Sequence, residues 1–140
     1  MTLIGNILWF VLGGAVLGIG WALCGVVCFI SIIGIPWGKA CFVMANFCFF
    51  PFGREAVNRR YLTGKSDIGT GTLGTIVNVV WCIFAGIWLA LGHLISGLLC
   101  CITIIGIPFG LQHFKIAGLA LAPVGMTIVP KGTVPQYNSI

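Results

Sequence analysis

The chain has 140 residues, 59% of them hydrophobic and only 6% charged, with seven Lys or Arg against two Asp or Glu. Soluble domains carry roughly 25% charged residues, so a water-facing surface cannot be made from this set and an ordinary soluble domain is excluded. The apolar runs are long enough to place the protein in a bilayer, whose core takes about 20 such residues to span.

In chain order, residues 3–50 are almost wholly apolar, with Lys39 as the one charge. Residues 1–10 lack the basic flank of a secretory leader, and a closely similar segment recurs inside the chain, so this stretch is expected to be mature structure. Residues 53–74 are polar and hold Arg54, Glu55, Arg59, Arg60, Lys65 and Asp67. Residues 75–122 are apolar again, interrupted by His93, Gln112, His113 and Lys115. The remainder, with Pro130, Lys131 and Pro135, reads as an extended, poorly ordered tail.

The two apolar zones are copies. Ser-Ile-Ile-Gly-Ile-Pro-Trp-Gly at Ser31 returns as Thr-Ile-Ile-Gly-Ile-Pro-Phe-Gly at Thr103, 72 positions later. The same offset relates Asn6 and Trp9 to Asn78 and Trp81, and residues 4–53 align with 76–125 without a gap at about 19 identities in 50 positions. A fixed period of this kind marks a unit used twice. The expected organisation is a first membrane repeat over 1–53, a basic loop over 54–74, a second repeat over 75–125 and a tail over 126–140.

Each zone of about 48 residues would be roughly 72 Å long as a helix, too much for one crossing of a ~30 Å core. Two arms joined by a turn fit, giving an all-α integral membrane protein of two tandem helical hairpins with about four membrane-embedded helices. Gly34–Pro36 and Gly106–Pro108 punctuate the arms, glycine closing one helix and proline starting the next. The arms are unequal, however, at about 46 Å and ~22 Å. Three arrangements accommodate this. The short arm lies in the interface or re-enters; the long arm tilts and extends past the bilayer; or the reversal comes earlier, near residues 24–28, and Gly-Ile-Pro is a break inside the second helix.

The seven cysteines lie in apolar runs without C-x-x-C pairs or neighbouring acids and are read as small packing residues. No metal or cofactor is expected. Both carboxylates, Glu55 and Asp67, lie in the polar loop, and no phosphate loop, nucleophile elbow or H-E-x-x-H is present. No catalytic residue is expected and the chain is not read as an enzyme. Basic residues flank the cytoplasmic ends of spans, so Arg54, Arg59, Arg60 and Lys65 put the loop inside. Two crossings per repeat bring both termini, with Lys131, to the same side.

The repeated I-I-G-I-P-x-G, the N-x-x-W starts, Gly71-Thr72-Leu73, the stretch Ile-Thr-Ile-Ile-Gly-Ile-Pro-Phe-Gly-Leu-Gln-His-Phe-Lys-Ile-Ala over 102–117 and Ala122-Pro123-Val124-Gly125 resemble the bacterial YccF inner-membrane family. The resemblance covers residues 1–125. It implies a multi-pass protein of the bacterial inner membrane built from a duplicated domain, and brings no enzymatic activity or substrate with it.

Two sets of side chains carry the functional expectations. Ionisable groups inside a span are functional candidates by default, so Gly34, Pro36, Gly106, Pro108, His113 and Lys115 are assigned to a transport path, with carbonyls freed by the prolines facing a cation or water. The competing reading has Lys115 snorkelling to the interface and His113 satisfying a carbonyl. His93 is read as packing, because its counterpart is Trp21. Asn6, Asn78, Trp9 and Trp81 are read as structural, the tryptophans as interface anchors. Arg54, Arg59, Arg60 and Lys65 form the docking set for anionic headgroups or a partner; nucleic acid is not expected, for want of interleaved aromatics. The chain therefore reads as a homo-oligomeric channel or transport component in the lipid bilayer. The alternative is a structural or accessory protein that docks a larger membrane partner or lipid.

Overall fold

The computed structural model describes residues 2–134. In chain order the elements are α1 (Thr2–Ile30), α2 (Ile35–Phe49), β1 (Arg54–Asn58), the single-turn α3 (Arg59–Thr63), α4 (Thr72–Cys101), α5 (Ile107–Leu121) and β2 (Met126–Pro130). α1 and α4, 29 and 30 residues long, are long and apolar enough to cross a membrane. At 1.5 Å per residue they run to about 44 Å. α2 and α5 have 15 residues each, about 22 Å, short of the ~30 Å hydrocarbon core. Most of the large aliphatic side chains along α1 and α4 are exposed, Val11, Val16, Leu23, Leu98 and Leu99 among them.

α1 is helical through to Ile30, so the early reversal near residues 24–28 does not occur. The Gly-Ile-Pro segments are the turns themselves. Ser31 Oγ donates to the Cys28 carbonyl (2.7 Å) and accepts from the Gly34 N–H (3.1 Å); Thr103 Oγ1 does the same with Cys100 (3.3 Å) and Gly106 (3.1 Å). A Cβ on Gly34 would lie 2.6 Å from the Cys28 oxygen, which is why the chain needs glycine there. Pro36 and Pro108 fall in the first turns of α2 and α5, where a missing N–H costs nothing. The carbonyls they would have engaged, on Ile32 and Ile104, accept instead from the N–H groups of Ile35 (3.2 Å) and Ile107 (3.3 Å). The two carbonyls that the prolines would have left bare are thus each engaged within the turn.

Contacts divide the described residues into two compact units, one comprising residues 2–77 and 123–134, the other Asn78–Ala122. In the first, α1 and α2 approach at glycines: a Cβ on Gly25 would come within 2.9 Å of the Phe42 ring, and one on Gly38 within 3.2 Å of the Gly25 carbonyl. In the second, Gly97 meets the Phe114 ring at 2.6 Å and Gly110 meets the Gly97 carbonyl at 2.7 Å in the same sense. Small residues let membrane helices come this close, and van der Waals contact then holds them.

Both long helices depart from α geometry, α4 in a π-turn over Cys82–Gly86 and α1 over Phe10–Gly14, where Gly13 (φ 154°) leaves the helical region and kinks the helix. Just before these segments stand Trp9 and Trp81, buried at 3% and 7% exposure and so not the surface anchors their position suggests. The Trp9 indole N–H donates to the Cys48 carbonyl (2.7 Å), and Trp81 to Ala120 (2.8 Å). Those carbonyls belong to the last turns of α2 and α5, where intrahelical donors run out. Gly14 and Gly86 make room for the indoles: a Cβ on Gly86 would sit 3.2 Å from Trp81 Cδ1, and one on Gly14 would overlap the Trp9 ring. Asn6 holds the end of the first unit's short arm in both directions, donating to the Phe52 carbonyl (3.1 Å) and accepting from its N–H (2.9 Å).

The expected all-α fold is corrected by one feature. β1 and β2 pair antiparallel within the first unit, from Arg54 opposite Pro130 to Asn58 opposite Met126. The central pair, Ala56 and Ile128, is separated by the 72-residue period, so exchanging each residue for its counterpart maps the ladder onto itself. The start of the expected tail is thus an ordered strand; residues 135–140, with Pro135, lie outside the described residues.

Removing either indole N–H while keeping an aromatic ring tests the fastening. Trp9→Phe and Trp81→Phe should each lower unfolding stability in detergent by about 1–3 kcal/mol, the effect of orphaning a buried acceptor. Denaturant titration followed by circular dichroism measures it.

Candidate functional site

The polar side chains buried between helices gather in the second unit. His93 lies on α4, and Gln112 and His113 on α5, at 5%, 8% and 9% exposure. Burial this deep requires a hydrogen-bond partner. The imidazoles supply one another's: their Nδ1 atoms are 3.3 Å apart, with ring centroids at 5.5 Å. One Nδ1–H donates to the lone pair of the other, and because both rings are chemically alike the donor and acceptor roles can exchange. Gln112 Oε1, one residue away, is buried with no hydrogen-bond partner among the described residues. Lys115 is half-buried two residues further along α5. The counterparts in the first unit are Trp21, Ala40 and Cys41, all buried and none able to relay a proton between rings.

The structure thus divides the expected path. His113 meets His93, a residue assigned to packing, rather than the Gly106–Pro108 turn, which lies about 7 Å away along α5. Gly34 and Pro36 occupy the corresponding turn of the first unit, where no buried polar cluster accompanies them. The sequence did carry a signal for each imidazole separately: both histidines replace apolar residues of the other copy, Trp21 and Cys41. Among the described residues no three His, Cys, Asp or Glu side chains converge as metal ligands.

The basic set also splits. Arg54 is a clamp: Nε donates to the Phe50 carbonyl (2.7 Å) and Nη1 to Asn46 Oδ1 (3.0 Å), tying β1 to the end of α2. Burial pushes its pKa below the usual guanidinium value. Arg59 grips Asp67 with two bonds, Nε to Oδ2 at 2.9 Å and Nη2 to Oδ1 at 3.0 Å. Asp67 Oδ1 also accepts from the N–H groups of Gly69 (2.8 Å) and Thr70 (3.0 Å). Arg60 and Lys65, by contrast, extend exposed side chains. The other acid, Glu55, is buried in β1 and accepts from the Gly132 N–H (3.2 Å).

The hydrogen bonds from Arg59 hold the Asp67 carboxyl well below the usual carboxylate range, and the same bonds raise the pKa of Arg59. A depressed folded-state pKa means the stabilisation is complete above the ordinary carboxylate value of about 4 and is lost as pH falls through the lower, folded value. Asp67→Asn should therefore lower the thermal midpoint at pH 7, and the gap from the unsubstituted protein should close as the pH is taken progressively below 4. Melting in detergent at stepped pH measures this; a gap independent of pH would contradict the pairing.

Comparison with known proteins adds the lineage. The family described as the YccF inner membrane component domain matches the chain twice, over residues 4–54 and 76–126. The chain is 42% identical over 126 residues to the inner membrane protein YccF of Escherichia coli (strain K12), covering 89% of this chain and 84% of that protein. The same figures relate it to the inner membrane protein YccF of Shigella flexneri. No solved structure matches the chain.

Proposed function

Because the chain belongs to the YccF family of inner membrane component domains, we propose that it is a multi-pass protein of that membrane: two tandem helical hairpins with four membrane-embedded helices. α1 and α4 are the crossing helices, and the shorter α2 and α5 are embedded beside them. The loop with Arg54, Arg59, Arg60 and Lys65, and both chain ends, lie on the cytoplasmic face, as the distribution of basic residues favours. The protein works without catalysis, as a homo-oligomeric transport component. Four helices are too few to enclose a passage alone, and symmetric assembly supplies the rest of its wall.

One observation carries this reading: the His93–His113 pair beside a Gln112 carbonyl without a partner among the described residues, buried in an otherwise apolar helix pair. Polar and ionisable groups inside a membrane are costly and mark paths for ions, protons or polar solutes. Two imidazoles joined through Nδ1 atoms pass a proton by exchanging donor and acceptor, and Gln112 offers an acceptor to whatever approaches. The conducted species best suited to these groups is a proton or a small hydrogen-bonding solute, with Lys115 biasing the path electrostatically. Purified protein in liposomes should dissipate an imposed pH gradient, and His113→Ala should slow this by about tenfold or more, since a relay loses its bridge with one member. Absence of flux over protons and a broad ion panel would remove the transport reading.

A second reading, accessory docking of a partner or lipid, is favoured by Arg60 and Lys65, whose exposed side chains the ribbon does not use. Paired Arg60→Glu and Lys65→Glu substitutions leave the Arg54 and Arg59 clamps intact. They should abolish recovery of a co-purifying membrane protein or reduce retained anionic lipid; unchanged recovery would count against docking.

A further inference from the structure

The first unit forms a half-open cavity of about 320 Å³ between the start of α2, the 67–69 turn, the start of α4 and the segment leading into β2. Its walls are aliphatic, with Ile35, Val43, Leu73 and Val77 among the lining residues, and three charged side chains join them: Lys39, Arg59 and Asp67. The Trp37 indole N–H donates to the Val77 carbonyl (3.0 Å), bracing α2 against α4, so the cavity is held open by the fold.

The charges are not balanced. Asp67 is fully engaged by Arg59 and two backbone N–H groups. Lys39 has no ion pair or hydrogen bond among the described residues. It is the one charge in the apolar first zone, in the second turn of α2, near the positive end of the helix dipole where a cation gains nothing. Helix stability does not explain it. The cavity thus combines a hydrocarbon wall, one uncompensated cation and no available acid, at a volume near the lower end for small-ligand sites of ~300–1,000 Å³.

We propose that this cavity binds an anionic phospholipid, the phosphate at Lys39 and the first part of an acyl chain along Ile35, Val43, Leu73 and Val77. Ile35 and Leu73 are also exposed, so the remainder of the chain leaves along apolar surface. A zwitterionic lipid is disfavoured because its ammonium finds no free carboxylate: the cavity's single acid already holds Arg59. The inference deepens the docking reading by naming the ligand class and moving recognition from the exposed loop bases to Lys39, and it does not depend on the transport reading.

Native mass spectrometry of the full chain in detergent, titrated with phosphatidylglycerol or phosphatidylcholine, tests it. One phosphatidylglycerol should be retained in preference to phosphatidylcholine. Lys39→Ala should reduce that preference about fivefold, the effect of one base near an anionic surface, and Val43→Phe, which fills the cavity, should reduce occupancy at least as much. Arg60→Ala, outside the cavity, should leave both unchanged. If Arg60→Ala weakens binding while Lys39→Ala and Val43→Phe do not, the cavity is excluded and docking on the loop surface survives. Equal retention of the two lipids by the unsubstituted protein overturns both.

Discussion

The last carbonyls of a helix have no intrahelical donor and, once buried, must find one elsewhere. That constraint governs this molecule. α2 and α5 each stop after 15 residues, and at each end an indole N–H reaches across from the longer helix to satisfy a terminal carbonyl. Leaving such a buried group bare costs about 1–3 kcal/mol. The departures from α geometry stand beside the tryptophans, where Gly14 and Gly86 leave space for the ring. The glycine contacts at Gly25–Gly38 and Gly97–Gly110 bring the arms close enough for the bond to form.

With geometry settled by these fastenings, the interior of each unit is free to differ. At equivalent positions the first unit buries Trp21, Ala40 and Cys41, whereas the second buries His93, Gln112 and His113. The packed volume is kept in one and given over to polar chemistry in the other. Duplication allows this, because one copy can retain an apolar interior while the other takes on groups that are expensive to bury.

The turns were legible in the chain because glycine and proline act locally: Gly34 and Pro36 do what their covalent structure dictates, and the unequal arms follow by counting. Trp9 and Trp81 were legible only as landmarks. An aromatic near a helix start looks the same whether it faces headgroups or a carbonyl 39 residues on. The ribbon was hidden because Arg-Glu-Ala-Val-Asn reads as polar loop by composition, and its partner strand lies 72 positions away. His93 and His113 were separately visible but not paired, since only the packing of α4 on α5 brings them together. The Arg59–Asp67 grip and the Lys39 cavity likewise depend on distant segments meeting, which no periodicity encodes.

The self-symmetric ladder has a consequence for biosynthesis. β1 is made early, yet the strand it pairs with is Met126–Pro130. On the order of ten seconds of translation separate the two at ordinary elongation rates. During that interval the second pair of helices is still being made, and β1 is an unpaired edge. Arg54 and Glu55, at its leading end, are the kind of charged residues that keep such an edge from joining a foreign strand. Closing the ribbon is therefore a late event, possible only once both helix pairs have left the ribosome, and until then nothing ties the first helix pair to the chain that follows the second.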